Sequence, residues 1–486
     1  MSIPDDSPHH RHLARGFNWL GGAALIAKII DFFTIIVVLL CLTQAQIGIG
    51  SLVVSFGMMI EAFDGLGTGD AIVQASEIND SQLTTLFWYI LFIALVISTL
   101  ALALAPVAQA VYHTPGMALF FVAIAIKQPL VGIAVIPLSL LNRELRYEPI
   151  AVINVAATFG AAAVRLVVAL LGGGAWALVL SFLASGIFIM LGSLWARPFL
   201  PSLRLSLPAI RPLIHFGLRS AAAHISEQVF KNVDYLLVGW FYGAERLGLY
   251  RVMFDMAMEP AMAVGSVVNR AALPVFARVA GEPAHFKGAI TWSIQRLTTL
   301  VAPLMTALIL IAVPLTALLH DSHGRSYAAG AVPLEILAGA AILRVISQLL
   351  PPLMLATGRP GIAASLSGLT LTALSLGILI AGFLCPPPFG LIAVAIIWFS
   401  VYPPLLGWGA YYLVHQWHFR PREFLDPFIK PGLAVTSMVI GSKALLSLPW
   451  GALPLYRIAV VLLITCMAYI GLLLHSKRNA SLASID

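Results

Sequence analysis

Charge is scarce in this sequence. Asp, Glu, Lys and Arg make up 10% of its 486 residues and hydrophobic residues 60%, where a soluble domain carries about 25% charged residues. A soluble fold cannot hide that much apolar surface. Cysteine is scarcer still: Cys41, Cys385 and Cys466 stand far apart with no C-x-x-C spacing, so neither disulfide nor zinc chemistry is suggested. No glycine-rich stretch ends in G-K-[ST] behind a strand, which argues against a phosphate loop and an ATP-driven cycle within this chain. No Ser-His-Asp or paired-carboxylate spacing is recognisable. The longest outer loop, near His320 to Gly330, is short for an active site. The chain is not expected to be an enzyme, and no cofactor or metal is expected. HHRH at His9 to His12 reads as a solvated basic tail, and HDSH at His320 to His323 as loop surface.

What the sequence has in abundance is long apolar runs. Each is long enough to cross about 30 Å of hydrocarbon as a helix. Gly, Pro and charge punctuation divide them into about fourteen spans, the first a retained helix from about Gly16 to Leu42 rather than a signal peptide. The expectation is an all-α integral membrane protein. With the amino terminus in the cytoplasm, basic residues such as Arg143, Arg146, Arg197, Arg211, Arg278 and Lys287 fall in inner segments, while the outer loops and their edges hold Arg246, Arg325, Lys443 and Arg457. That asymmetry places both termini inside. One inner loop fits poorly, because Asp64 to Gln82 carries Asp64, Asp70, Glu77 and Asp80 and no basic residue.

A faint repeat relates QIGIGSLV at Gln46 to RLGLYRVM at Arg246, an offset of 246 − 46 = 200 residues. Two parallel halves of six spans follow, with a pseudo-two-fold axis along the membrane normal and two further helices at the end. The divisions are 1–200, 201–418 and 419–486.

Ionisable groups at bilayer depth are costly unless they meet a partner or water. On the seventh span Arg219, Glu227, Lys231 and Asp234 fall within about 120° of arc, and Arg251, Asp255, Glu259 and Arg270 within about 100° on the eighth. Lys28 and Asp31 are their first-half counterparts, followed by Glu61, and Lys127, Arg165, Glu335 and Arg344 complete the set. Such stripes place a water-accessible cavity between the halves; structural ion pairing is the competing explanation for each charge. GLGTGDAIVQ, Gly65 to Gln74, reads as a flexible connection with a helix start. Pro129, Pro137, Pro260 and Pro314 fall inside spans, where each removes a backbone donor and can bend a helix.

NVDYLLVGWFYGAERLGLYRVMFDMAMEP and LPVFARV, within Asn232 to Val279, resemble the most recognisable stretch of the bacterial polysaccharide transporters, the O-antigen and exopolysaccharide flippases of the multidrug/oligosaccharidyl-lipid/polysaccharide exporter superfamily. GLGTGDAIVQ with QLTTLFW, LNRELRYEPIAVINV from Leu141 and GGGAWALVLSFL from Gly172 resemble that family's first-half patterns in the same order. The resemblance covers most of residues 15 to 420. It implies two six-helix bundles around a V-shaped central cavity plus two C-terminal helices. It further implies translocation of undecaprenyl-pyrophosphate-linked oligosaccharide across the cytoplasmic inner membrane for lipopolysaccharide, capsule or exopolysaccharide synthesis, with a polymerase and a chain-length regulator as partners beside the membrane lipids. Lys28, Arg219, Lys231, Arg251 and Arg270 are then the candidate contacts to the anionic headgroup. Asp31, Asp234, Asp255 and Glu259 would hold those cations, bind sugar hydroxyls or carry a coupling ion. A cation-coupled multidrug antiporter and a peptidoglycan-precursor flippase are the alternatives.

Overall fold

The computed structural model describes residues 37–202, 205–446 and 453–482, with positions 22, 26, 27, 30 and 34 of the first apolar run. Lys28 and Asp31 lie outside the described residues. Among the described residues there are helices, turns and one isolated bridge between His320 and Ser326, and no β-strand. Ten helices there are long and apolar enough to cross a membrane. The protein is a multi-pass helical membrane protein.

Three features separate this count from the expected fourteen. The first run lies largely outside the described residues, the last two expected spans, helices Pro421–Leu446 and Pro454–Leu482, are not among the ten, and the seventh and eighth expected spans form one helical run of 73 residues, Leu207–Val279. At 1.5 Å per residue such a run would be about 110 Å long, more than three times the hydrocarbon thickness. Gly243, at φ 80° and ψ 173°, breaks it.

The described residues fall into two compact units, one within Met1–Gly248 joined by Asp321–His323, the other within Leu249–His320 and Gly324–Asp486. This division follows packing, whereas the expected one at residue 200 follows the repeat.

The first unit contains α1 (Gln44–Glu61), a 3-10 turn at Asp64–Gly67, α2 (Thr68–Gln74), α3 (Asp80–Val111), α4 (Met117–Arg143), α5 (Tyr147–Leu170), α6 (Trp176–Ala196) and the first part of α7 (Leu207–Val279). α1 begins at a reciprocal capping box: the Thr43 hydroxyl accepts from the Gln46 N–H, and Gln46 Oε1 accepts from the Thr43 N–H. Asn79 and Gln82 repeat the device at α3. Each box satisfies backbone donors that hydrocarbon cannot. α4 packs between α3 and α6, and Ile72, Leu86, Ile90, Ile136 and Ile210 bury one apolar core across α2, α3, α4 and α7.

The HDSH segment is not wholly surface. Its histidines are exposed, but Asp321 is 5% exposed and accepts the backbone N–H of Gln44 at 3.3 Å and of His323 at 2.9 Å. Its carboxylate therefore sits at the amino terminus of α1, where the helix dipole favours negative charge.

Gly48 and Gly248 meet in the same unit. A Cβ built on Gly48 would stand 1.8 Å from the Ala244 carbonyl oxygen, and one on Gly248 would stand 1.8 Å from that of Gln44. Only glycine permits two helices to approach so closely.

The second unit contains the rest of α7, then α8 (Pro283–Leu318), α9 (Ala331–Ser347), α10 (Leu350–Ala356), α11 (Pro360–Leu384), α12 (Pro387–Trp417), α13 (Pro421–Leu446) and α14 (Pro454–Leu482). Here α9 packs on α8 and α12, and α13 and α14 both pack on α8.

Candidate functional site

In the first unit the charges gather around one cavity of about 270 Å³, lined by Glu61, Asp64, Asp70, His224, Glu227, Gln228 and Lys231 with small residues of the 62–69 segment. Five backbone pieces supply it: the end of α1, the 3-10 turn, the start of α2, α4 through Val135, and the middle of α7.

The turn at Asp64–Gly67 passes through three successive left-handed residues, Gly65 at φ 59°, Leu66 at φ 43° and Gly67 at φ 71°. This reversal brings Asp64 and Asp70 to the same cavity. It is packed against α7: a Cβ on Gly67 would stand 2.2 Å from the Gly217 carbonyl oxygen. Asp70 then accepts hydrogen bonds from the Ser220 hydroxyl and, at 3.0 Å, from Nε2 of His224. GLGTGDAIVQ thus holds the helix start expected from its sequence, at Thr68, but it is a packed turn and not a flexible connection, because Asp70 and the glycine at 67 fit against α7.

Glu61 reaches from the cavity to Lys127 of α4, which is 4% exposed and whose Nζ lies 2.5 Å from Oε1 of Glu61. The ammonium also sits 3.2 Å from the centroid of the Phe182 ring. Burial penalises a charge unless it is paired and contacted in this way. Beside it the buried Gln128, its amide nitrogen assigned toward Asp64, donates to both carboxylate oxygens.

On α7 itself Lys231 donates to Glu227 at 2.6 Å, and both side chains are more than half exposed. Arg219 is exposed beside His215, at 3.2 Å. Asp234 departs from the rest of its stripe: it is fully buried and is not among the cavity-lining residues. Tyr112, one residue past α3, donates its hydroxyl to the Leu236 carbonyl at 3.2 Å, tying α7 to α3. Burial pushes that phenol up to about 12, so it remains a donor at any physiological pH.

In the second unit Arg251 donates to Asp255 at 2.6 Å, one helical turn away. Glu259 is exposed on the same helix, and Arg270 lies on its backbone, with its side chain outside what is described. Arg344, buried on α9, lies 4.8 Å from the Trp398 ring, whose Nε1 donates to the Tyr250 hydroxyl at 2.8 Å.

The structure therefore brings Lys231 of the expected site residues, with Glu227 of the same stripe and Glu61 of the intramembrane charges, together with three residues that sequence reasoning left out of the site: Asp64, Asp70 and His224. Two signals pointed there. The acidic loop without basic residues was the misfit in the topology, and His224 lies seven residues before Lys231, about 20° away on the helix face.

The fold is shared with solved transporters. The lipid II flippase MurJ in an inward closed conformation superimposes with a TM-score of 0.68 at 12% identity, over 92% of this chain and 96% of that one. An inward-facing multidrug resistance transporter of the MATE family, in the MOP superfamily, gives a TM-score of 0.55 at 14% identity over 85% and 96%. The class is accordingly a helical membrane protein with the fold of these transporters. Residues 40–325 match the family described as polysaccharide biosynthesis protein, and the chain belongs to that family. Among curated relatives it is 21% identical over 300 residues to the teichuronic acid biosynthesis protein TuaB of Bacillus subtilis, spanning 61% of this chain and 62% of TuaB. It is 21% identical over 271 residues to the lipopolysaccharide biosynthesis protein WzxC of Escherichia coli, 54% of each chain. The matched part is thus under two thirds of either relative's length.

Proposed function

We propose that this protein is a flippase that carries undecaprenyl-pyrophosphate-linked oligosaccharide repeat units across the bacterial cytoplasmic membrane by alternating access, for O-antigen, capsule or exopolysaccharide synthesis. The supporting observation is the polar cavity in the first unit, a cluster of ionisable groups on helices otherwise composed for hydrocarbon. A bilayer tolerates such groups where they face water or partners. Family membership and relatives named for polysaccharide biosynthesis point to the same class of cargo.

In this reading the chain crosses the membrane fourteen times, as two six-span halves and two further helices, with both termini in the cytoplasm. Lys231 offers a charge-assisted hydrogen bond to the anionic headgroup, and Arg219, Arg251 and Arg270 serve the same end with Lys28. Asp31, Asp234, Asp255 and Glu259 hold those cations or bind sugar hydroxyls. The test is the lipid-linked oligosaccharide pool and its leaflet in cells with and without the protein. Loss should leave complete repeat units on the cytoplasmic face, and re-expression should clear them; an unchanged pool sinks the proposal.

One observation favours a second reading. The cavity lining carries Glu61, Asp64, Asp70 and Glu227 against Lys231 and His224, an acidic balance that suits a cation-coupled antiporter for cationic drugs. In that case deletion changes sensitivity to such drugs and leaves the lipid-linked pool untouched.

A further inference from the structure

The second unit holds a cavity of about 320 Å³ whose described lining is wholly apolar, with Phe276, Ile290, Ile294, Leu353, Leu413 and Phe428 among it. Water has no hydrogen-bonding partner on such walls; an engineered cavity of about 150 Å³ lined by Leu, Ile and Phe stays dry and takes benzene. A void of twice that size forfeits the dispersion contacts of its lining unless hydrocarbon enters it. There is a way in. Gly407 of α12 lines the cavity and is exposed, and a Cβ built there meets nothing within 4 Å. α13 follows α12 in the chain but packs on α8 and α14 rather than on α12, so Phe428 of α13 borders the cavity on a side that helix packing does not seal.

One end of the cavity is basic. Lys287 lies one turn before Ile290, and Lys287, Ile290 and Ile294 fall within about 60° of arc on α8. Its Nζ donates to the His418 carbonyl at 2.8 Å and lies 3.5 Å from Glu423. On α12, Gly409, Leu413 and Gln416 likewise share about 60°. Arg359 donates to Gln416 Oε1 at 3.2 Å, and its guanidinium lies 5.3 Å from the Tyr412 ring. Lys287 and the Arg359–Gln416 pair thus stand one turn beyond the apolar lining, where α8 begins and α12 ends. Arg420 and Arg422 join them next to His418, against Glu423 and Asp426. The orientation proposed above places this end at the cytoplasmic face, where basic pockets between membrane helices attract anionic headgroups.

We propose that this cavity binds one acyl chain of an anionic phospholipid from the cytoplasmic leaflet, with the headgroup phosphate on Lys287 and Arg359. The chain completes the packing of α8, α9, α10 and α12, and the two cations select which lipid supplies it. The bound lipid is a resident of the second unit and not cargo. The inference takes from the flippase reading only the orientation in the membrane, so it can fail or hold independently of what the protein moves.

The test is native mass spectrometry of the full chain in detergent, after copurified lipid has been exchanged away. Phosphatidylglycerol should be retained as a single molecule and about tenfold more tightly than phosphatidylcholine, the preference expected of two cations when an acid stands beside one of them. Lys287→Gln with Arg359→Gln should abolish the preference and leave weak retention of both lipids. Gly407→Leu adds apolar bulk at the cavity wall where a Cβ meets no neighbour; it should abolish retention of both while the lipid-free chain melts no lower than the native one. A second readout needs no cavity variant. One equivalent of phosphatidylglycerol with a dibrominated acyl chain should quench the emission of Trp408, which stands between the lining residues Gly407 and Gly409, and Trp408→Phe should lose most of that quenching. Equal retention of the two lipids, unchanged retention in Gly407→Leu, or equal quenching with and without Trp408 overturns the site. Displacement of phosphatidylglycerol by an equal amount of undecaprenyl phosphate also overturns it and gives the cavity to the tail of the proposed cargo. Selective retention by a chain that moves no lipid-linked oligosaccharide supports the site and overturns the flippase reading alone.

Discussion

Lys127 and Glu61 show what a single residue can be asked to do in this fold. Each is affordable only because of the other, so the two single changes and the double change should differ sharply. Glu61→Leu alone leaves the buried Lys127 charge without its partner and should cost about 3–5 kcal/mol, whereas Lys127→Met leaves Glu61 at the cavity, 22% exposed, and should cost less. The double variant should recover most of that loss, within about 1–2 kcal/mol of the native protein, when thermal stability is followed in detergent or nanodiscs. Phe182→Leu removes the ring under the ammonium and should cost about 1–2 kcal/mol by the same measurement. Lys231 belongs to a different category, because its partner Glu227 shares its exposure and the pair is worth little to folding. Lys231→Glu should therefore abolish export at normal protein levels, whereas Asp234→Lys, at a fully buried position, should deplete the protein itself. Both follow from immunoblots of membranes beside an export assay. The stripe on α7 was legible in the sequence because 100° per residue is a local rule. Which members of the stripe face the cavity was not, because that depends on what packs against each, and Asp234 and Lys231 are three residues apart with opposite fates.

At the scale of the element, spans were easier to read than their ends and crossings. Apolar runs declare themselves within a window of twenty residues. The carboxylate at the start of α1 does not, since Asp321 is 277 residues from Gln44, the residue whose N–H it accepts. Asp321→Ala should lower stability by about 1 kcal/mol, the usual value of a helix cap, and His323→Ala at the exposed end of the same loop should leave it unchanged. The GLGTGDAIVQ segment was misread as a free connection for a related reason: its order comes from Ser220 and His224, not from its own propensity. The crossing at Gly48 and Gly248 admits the firmest expectation. Any side chain there drives a Cβ into a carbonyl oxygen, so Gly48→Val or Gly248→Val should remove folded protein from the membrane fraction, as overpacking by even one methylene costs about 1–3 kcal/mol.

For the whole molecule, composition sufficed to establish a many-spanning helical protein, and motif resemblance over most of the chain agreed with the family that residues 40–325 match. What the sequence could not supply was the packing boundary. The repeat divides the chain near residue 200, yet α7 runs on to its break at Gly243 and its first part packs with the preceding helices. A repeat records relatedness of segments, and a packing unit records which surfaces exclude lipid from each other; nothing obliges the two to coincide.

The paired glycines also meet reciprocally. Gly48 faces the carbonyl of Ala244 and the amide of Gly248, and Gly248 faces the carbonyl of Gln44 and the amide of Gly48. The two glycines are 248 − 48 = 200 positions apart, and the carbonyls they face, at Ala244 and Gln44, are 244 − 44 = 200 apart as well, so the crossing is self-complementary in the manner of a two-fold contact between identical subunits. Each glycine is then constrained by the other, because a side chain added to either displaces backbone that the other needs in place.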